Sequence, residues 1–307
     1  MVRYILITPA RNEEKFIEGT IRSVIAQTSL PERWVIVDDG STDRTAEIVQ
    51  SYAERYPWIA LARQPKRLDR NFAAKAYAVR AGLKRIHSLQ FEVVGNLDAD
   101  VSFGPDYLAF LMQKFSEDPE LGVAGTPFVE EGYDSAKDSF EGENHVAGAC
   151  QLFRYRCFQE VGGYIPNRAG GVDWIAVTTA RMKGWKTRSF SEKRIHHHRT
   201  IGTAERGEVS AMFSYGEKDY YLGGSPLWET FRAGYRMTKK PIITGGLALL
   251  LGYSWAALRR MKRPVTPELM RFHRREQMKK LRAVFRSMLT LKKVDNFSLA
   301  NTHAETH

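Results

Sequence analysis

Residues 91–95 form a largely apolar run that leads into Asn96-Leu97-Asp98-Ala99-Asp100, with two carboxylates one residue apart at the end of a strand-like segment. Side chains at i and i+2 share a face in extended backbone. Asp98 and Asp100 can therefore grip one hard divalent cation and leave its other positions for a diphosphate. An Asp-x-Asp alone says little, but the C-terminal ends of strands are where open α/β sheets bind ligands. A second acidic strand end, Val35-Ile36-Val37-Asp38-Asp39-Gly40-Ser41-Thr42-Asp43, turns tightly into a helix. Asp38 or Asp39 can accept hydrogen bonds from a base N–H or from ribose hydroxyls, while Ser41 and Asp43 also have the chemistry of a helix cap. The first strand closes on Thr8-Pro9-Ala10-Arg11-Asn12-Glu13-Glu14, where Pro9 and Asn12 shape a loop and Arg11 and Glu13 can line a nucleotide.

The elements that position these groups follow from hydrophobic periodicity. Strands are predicted over 3–8, 34–37, 59–62, 91–96 and 122–126, and helices over about 14–27, 42–55, 70–86 and 105–116. Alternating strands and helices imply a sheet built from crossover units. Thr20, Ile21, Val24 and Ile25 give the first helix an apolar face, and Pro105 after Gly104 suits a first helical turn. Residues 127–171 are rich in glycine and read as loops and short elements walling a pocket. A helix over 172–183, ended by Gly184, and a strand over 186–191 follow.

Three acidic or polar motifs at three successive strand ends make the chain similar to family 2 glycosyltransferases of the GT-A fold, over about residues 1–200. That resemblance implies an α/β fold with a single Rossmann-like mixed sheet flanked by helices, a UDP- or GDP-sugar donor, a Mg2+ or Mn2+ ion, and inverting transfer to a glycan or lipid-linked acceptor. By the family pattern Pro9, Arg11 and Glu13 border the base and ribose, Asp38 or Asp39 contacts the base, and Asp98 and Asp100 meet ribose, diphosphate and metal. The family also places an acidic pair at the head of a later helix, ahead of a Gly-aromatic step. Here Gly171-Val172-Asp173-Trp174 precedes Gly184-Trp185. Val172 departs from the pattern, so Asp173 alone is left as the general base for the acceptor hydroxyl. The resemblance further offers Lys75 as a donor-side cation and His198, within His196-His197-His198-Arg199, as a metal ligand. It also implies that 148–154 and 162–164 line the sugar and acceptor cavity. Strand alternation puts His196 and His198 on one face and His197 and Arg199 on the other. No Gln-x-x-Arg-Trp signature is present, which argues against a processive polymerase.

Composition narrows the alternatives. With 307 residues and 43% hydrophobic content the chain can build a full core. Cys150 and Cys157 cannot form a disulfide framework or a four-thiolate zinc site. The formal charge of +11 is localised: residues 231–293 carry 17 Lys+Arg against Glu268 and Glu276, whereas the remainder holds 29 basic and 33 acidic residues. A nucleic-acid reader would spread its basic footprint over the reading domain, so no nucleic acid is expected. The predicted division is a catalytic domain over 1–230, a basic helical membrane-associating extension over 231–293 and a flexible tail over 294–307. Within the extension, Pro241–Leu258 is uncharged for 18 residues between basic clusters, at the lower edge for a spanning helix and broken by Gly245, Gly246 and Gly252. An in-plane or re-entrant helix at an anionic bilayer surface is expected at least as much as a span, with a helix packed on the catalytic domain as the alternative. No signal-peptide pattern follows Met1, so the expected location is the inner face of the cell membrane. A sugar nucleotidyltransferase usually opens with a Gly-rich triphosphate loop, and Leu6–Glu18 contains no glycine. A non-catalytic basic binding protein would leave the three strand-end motifs unexplained.

Overall fold

The computed structural model describes residues 2–65, 73–86, 89–138, 142–167, 170–199 and 207–289. It divides into two compact units, Met1–Arg199 and Thr200–His307. The first unit begins with β1 (Tyr4–Ala10), α1 (Ile17–Ile25), β2 (Arg33–Asp38), α2 (Thr45–Ala53), β3 (Ile59–Arg63), α3 (Ala73–Lys84), β4 (Val93–Leu97), β5 (Val101–Ser102) and α4 (Tyr107–Glu117). It continues through β6 (Leu121–Gly125), β7 (Phe128–Glu130), β8 (Tyr133–Asp134), α5 (Ser135–Asp138), β9 (Cys150–Arg154), α6 (Tyr155–Val161), α7 (Val172–Met182), β10 (Lys186–Ser189) and β11 (Ile195–His197). The second unit contains α8 (Glu208–Tyr221), α9 (Pro226–Arg236), α10 (Thr244–Leu258) and α11 (Pro267–Leu289).

Seven strands form a mixed sheet in the order β10-β6-β9-β4-β1-β2-β3. β1 pairs parallel with β2 and β4, while β9 runs antiparallel between β4 and β6. Alternation along β1 assigns the two faces: Tyr4 and Leu6 enter one core with α1, α2 and α4, and Ile5 and Ile7 enter the other with α3, α6 and α7. All four side chains are buried, and burial of each of the three aliphatic ones contributes about 1.5–3 kcal/mol. A sheet covered on both faces reads as continuous apolar runs, which is why β1, β2 and β4 are legible; β3, at the sheet edge, is half-buried.

Two features depart from the sequence reading. A second, four-stranded sheet, β5-β11-β7-β8, accompanies the expected large one. β9, read as loop, is an internal strand. Its run is short and is interrupted at its second residue by polar Gln151, which is buried because Val146 O and the Tyr164 hydroxyl satisfy its amide at 2.6 Å each. The first residues of the helix expected over 70–86 and the tail over 294–307 lie outside the described residues.

The helical unit begins at Thr200, ahead of the change in charge at 231, so α8 and the start of α9 before residue 231 group with the basic helices rather than the sheet. Its helices meet through glycine. A Cβ on Gly216 of α8 would lie 2.0 Å from Leu249 O of α10, and one on Gly252 would lie 2.0 Å from Phe213 O. Gly246 faces Ala233 O of α9 in the same way, at 2.3 Å. Glycines that weaken the segment as a spanning helix thus let backbones touch. Loop backbone groups are also satisfied: Tyr253 Oη donates to Gly224 O (2.9 Å), and Ser225 N donates to Gln277 Oε1 (2.8 Å). Among the described residues no helix is long and apolar enough to cross a membrane.

Candidate active site

The C-terminal ends of β1, β2 and β4 carry the three motifs, and the first two are laced together. Asn12, at φ 56°, donates its N–H to Ser41 Oγ (3.0 Å) and accepts the Thr42 N–H on Oδ1 (2.8 Å). Glu13 N donates to Thr45 Oγ1 (2.7 Å), Glu14 N to Asp43 Oδ2 (3.1 Å), and Arg44 N to Glu14 Oε2 (3.2 Å). Five side-chain-to-backbone bonds therefore fix the two loops as one wall. Asp38 accepts the Ser41 N–H on Oδ1 (2.9 Å), a turn-forming bond, and Asp39 is buried with its N–H given to Ala10 O (2.9 Å). Pro9 lies within β1 opposite Val37, with half-buried Arg11 two residues on.

Residues 98–100 leave β4 through a turn, so Asp98 and Asp100 converge by turn geometry rather than by strand alternation. Thr20 of α1 fixes that turn, its Oγ1 lying 2.9 and 2.8 Å from the Ala99 and Val101 carbonyls. Asp98, Asp100 and His197 each offer one ligand atom, all within 4.8 Å of one another. His197 is on the small sheet, with Nε2 3.4 Å from Asp100 Oδ1 and Nδ1 3.2 Å from Glu130 Oε1.

His198 lies elsewhere. Its Nε2 is 2.8 Å from Ser102 Oγ and its ring stacks on Phe16, so the imidazole brought beside Asp98 and Asp100 is that of His197 and not that of His198. Alternation predicted which histidines share a face; it could not say which face meets the carboxylates. His197 and Arg199 face them together: Arg199 pairs with Glu13 and lies 3.6 Å from Asp100 Oδ2. Glu130 was missed, and a three-residue strand gives no periodicity that could have found it.

Lys75 of α3 donates to Asp98 Oδ1 (2.7 Å) and to Gly148 O (2.9 Å). Burial pulls its ammonium down, but Asp98, Asp173 and Asp100 together outweigh that and hold it above its ordinary value. Burial, with the charge of Asp100 adding, pushes Asp98 up against the pull of Lys75. Negative charge is thus in excess here, the condition a divalent cation relieves. Asp173 sits in the first turn of α7, where Gly170 and Gly171 (φ 94° and 74°) bend the chain in a way only glycine adopts readily. Its carboxylate touches Gly148, on the loop before β9. Pro9, Arg11, Asp38 and Asp39 line the neighbouring strand ends, while Glu13, Lys75, Asp98, Asp100 and Asp173 share one charge network through Arg199 and Lys75.

Comparison with known proteins bears on the fold and the family. The chain is 32% identical over 119 residues to the poly-beta-1,6-N-acetyl-D-glucosamine synthase of Staphylococcus aureus strain COL, a stretch covering 38% of this chain and 27% of that protein. The match therefore spans about a quarter of the length of that relative. Among solved structures, mannosyltransferase PcManGT from Pyrobaculum calidifontis, in complex with GDP-Man and Mn2+, is 20% identical with TM-score 0.55, covering 95% of this chain and 81% of that one. Residues 1–349 of S. aureus TarS, in complex with UDP-GlcNAc, are 15% identical with TM-score 0.55, covering 96% and 89%. These two likenesses establish the α/β fold of GT-A type. The profile of "Glycosyl transferase family 2" matches residues 5–171, which include every motif above except the α7 carboxylate and the histidine run. With three strand-end motifs in register and more than half of the sequence matched, the chain belongs to glycosyltransferase family 2.

Proposed function

We propose that the protein moves a sugar from a UDP- or GDP-sugar to a hydroxyl of a glycan or lipid-linked acceptor, with inversion. One observation carries this reading: Asp98, Asp100 and His197 converge on one point while Asp173 stands across Lys75 and Gly148 from Asp98. Two carboxylates and an imidazole suit Mg2+ or Mn2+, since all three donors are oxygen or nitrogen and no thiolate competes. Bound there, the ion supplies positive charge for the departing diphosphate. Arg199, held between Glu13 and Asp100, adds a guanidinium for the same charge. Pro9, Arg11, Glu13, Asp38 and Asp39 border the base and ribose, and Lys75 holds Asp98 in place. Asp173 takes the proton from the attacking acceptor hydroxyl. Both a UDP-sugar and a GDP-sugar occur in the similar structures, which supports a nucleotide-sugar donor without choosing the base.

Thermal melting of the full chain with UDP or GDP, with and without Mn2+, tests this. One nucleoside diphosphate should raise the melting point only when Mn2+ is present, by the equivalent of about 2.7 kcal/mol at a hundredfold excess over Kd. Absence of a Mn2+-dependent shift with either nucleotide rejects it.

The helical unit is proposed to rest on an anionic bilayer at the inner face of the cell membrane. α10 buries Gly245, Ala248, Leu249, Gly252, Tyr253 and Ala256, yet leaves Leu247, Leu251, Trp255 and Leu258 at 44, 61, 42 and 79% exposure. These four recur at helical spacing, with Lys239 and Lys240 before the stripe and Arg259 and Arg260 after it. Sedimentation with vesicles containing one-third phosphatidylglycerol should capture the protein, and neutral vesicles should capture much less. Equal partition onto both vesicle types, or onto neither, rejects this placement.

A further inference from the structure

Gly148 occupies a place where no other residue type fits the neighbouring carboxylate. A Cβ built on it would lie 2.2 Å from Asp173 Oδ2, 3.0 Å from Cγ and 3.2 Å from Cβ of the same residue. The Asp173 side chain therefore lies along the bare Cα of Gly148. The glycine is not there for its backbone, because its φ lies outside the left-handed region.

Several bonds prevent Gly148 from yielding. Its carbonyl accepts from Lys75 Nζ (2.9 Å) and from Asn96 Nδ2 (3.1 Å). The next carbonyl, of Ala149, accepts the Asp98 N–H (2.9 Å), and Cys150 then enters the sheet opposite Leu97. The segment is thus tied to α3 and β4 at consecutive residues. The Asp173 carboxylate stands at the end of a rotatable side chain in a first helical turn, whereas the Gly148 obstacle would be a Cβ fixed to the backbone. If the two collide, the carboxylate moves.

We propose that Gly148 is a positioning residue for Asp173: its missing side chain, held in place by Lys75 and Asn96, sets where the carboxylate stands. The inference rests on the reading of Asp173 as the base. The same clamp joins base and donor side, because Lys75 bonds Asp98 and Gly148 at once. A displacement of about 1 Å at a reacting group can cost about 10²-fold in rate.

Gly148→Ala is the direct test, with Asp173→Asn beside it. In Gly148→Ala, kcat for transfer should fall about 10²-fold, with donor KM, the Mn2+-dependent nucleotide shift and the melting point unchanged. Its crystal structure should show the Asp173 carboxylate turned away from residue 148 and the 148–150 backbone in place. Unchanged kcat, or an unmoved carboxylate with a shifted 148–150 loop, overturns the proposal. Asn96→Ser adds no volume and releases one grip on the carbonyl; it should lower kcat in the same direction by less. It decides the matter if Gly148→Ala does not fold, and wild-type kcat in Asn96→Ser then overturns the proposal. Wild-type turnover in Asp173→Asn would instead reject the base reading, and with it this one. Loss in Asp173→Asn with none in Gly148→Ala would reject only the role of Gly148.

Discussion

In the sheet unit, the absent side chain of Gly148 leaves room that a carboxylate occupies; in the helical unit, the absent side chains of Gly216, Gly246 and Gly252 leave room that another backbone occupies. The first arrangement spends close approach on placing charge: three carboxylates around Lys75, a fourth on Arg199, and His197 between Asp100 and Glu130. The second spends it on pulling α10 against α8, so that half of an apolar helix is buried and its bulky half is left outward. One residue type thus builds a polar site in one unit and an exposed apolar stripe in the other. Chemistry should therefore answer to the first unit and surface attachment to the second.

The largest effect expected is from Asp100→Ala. It removes a carboxylate that faces both His197 and Arg199, and transfer should fall by at least about 10³-fold, since electrostatic stabilisation is usually the largest single term in catalysis. The Mn2+-dependent nucleotide shift should vanish while vesicle binding stays intact. Kinetics and sedimentation on one preparation measure both, and a loss of vesicle binding would break the separation of roles. Next comes Leu251→Gln with Trp255→Gln, which removes two exposed apolar side chains from the stripe. At about 1.5–3 kcal/mol for each side chain buried, partition onto anionic vesicles should drop about 100-fold, with transfer to a water-soluble acceptor unchanged. Retained partition would show that the stripe does not meet the bilayer.

Gly252→Ala should cost about 1–3 kcal/mol of stability, by overpacking α10 against the Phe213 carbonyl. Denaturant melts followed by Trp fluorescence would show it; an unchanged midpoint would mean that the helix contact has slack. The smallest effect is in pH dependence. Glu229 is buried beside Asp219 and Arg232, and burial, with the charge of Asp219 adding, pushes it up to about 8. A carboxyl raised on folding stabilises fully below its unfolded value, and that contribution fades as pH rises through about 8. Wild-type melting should thus decline between about pH 5 and 9, and Glu229→Gln, uncharged throughout, should flatten the decline. Parallel slopes would place the titration elsewhere.

Much of the sheet unit was readable in advance because β1, β2 and β4 are buried on both faces and so carry long apolar runs, and the half-buried edge strand β3 keeps the apolar run Ile59–Ala62. Their ends carry acidic motifs in an order that no single motif could signal. What escaped has physical reasons. β9 hides its strand character behind a buried glutamine that is satisfied only by tertiary partners, Val146 O and Tyr164. Alternation puts His197 and His198 on opposite faces but does not say which face meets the carboxylates until β5 pairs with β11 and sets Val101 opposite His197. The strand end at 38–43 carried two readings, a ligand at Asp38 or Asp39 and a helix cap at Ser41 and Asp43; here Asp38 accepts from Ser41 N, and Asp43 from both Glu14 N and the Thr45 backbone. The break at Arg199 carries no change of charge, since it follows contacts rather than composition.

The lacing of residues 12–14 to residues 41–45 bears on how such an enzyme can be re-engineered. Because Asn12, Glu13 and Glu14 reach across to Ser41, Thr42, Asp43, Arg44 and Thr45, neither segment is an independent module. A chimera that imports one segment from a relative severs five bonds, whereas one that imports both keeps its own set. Nucleotide preference should therefore be transplantable as a pair and intractable singly, a contrast that soluble yield and melting point of the two chimeras would reveal before any sugar is added.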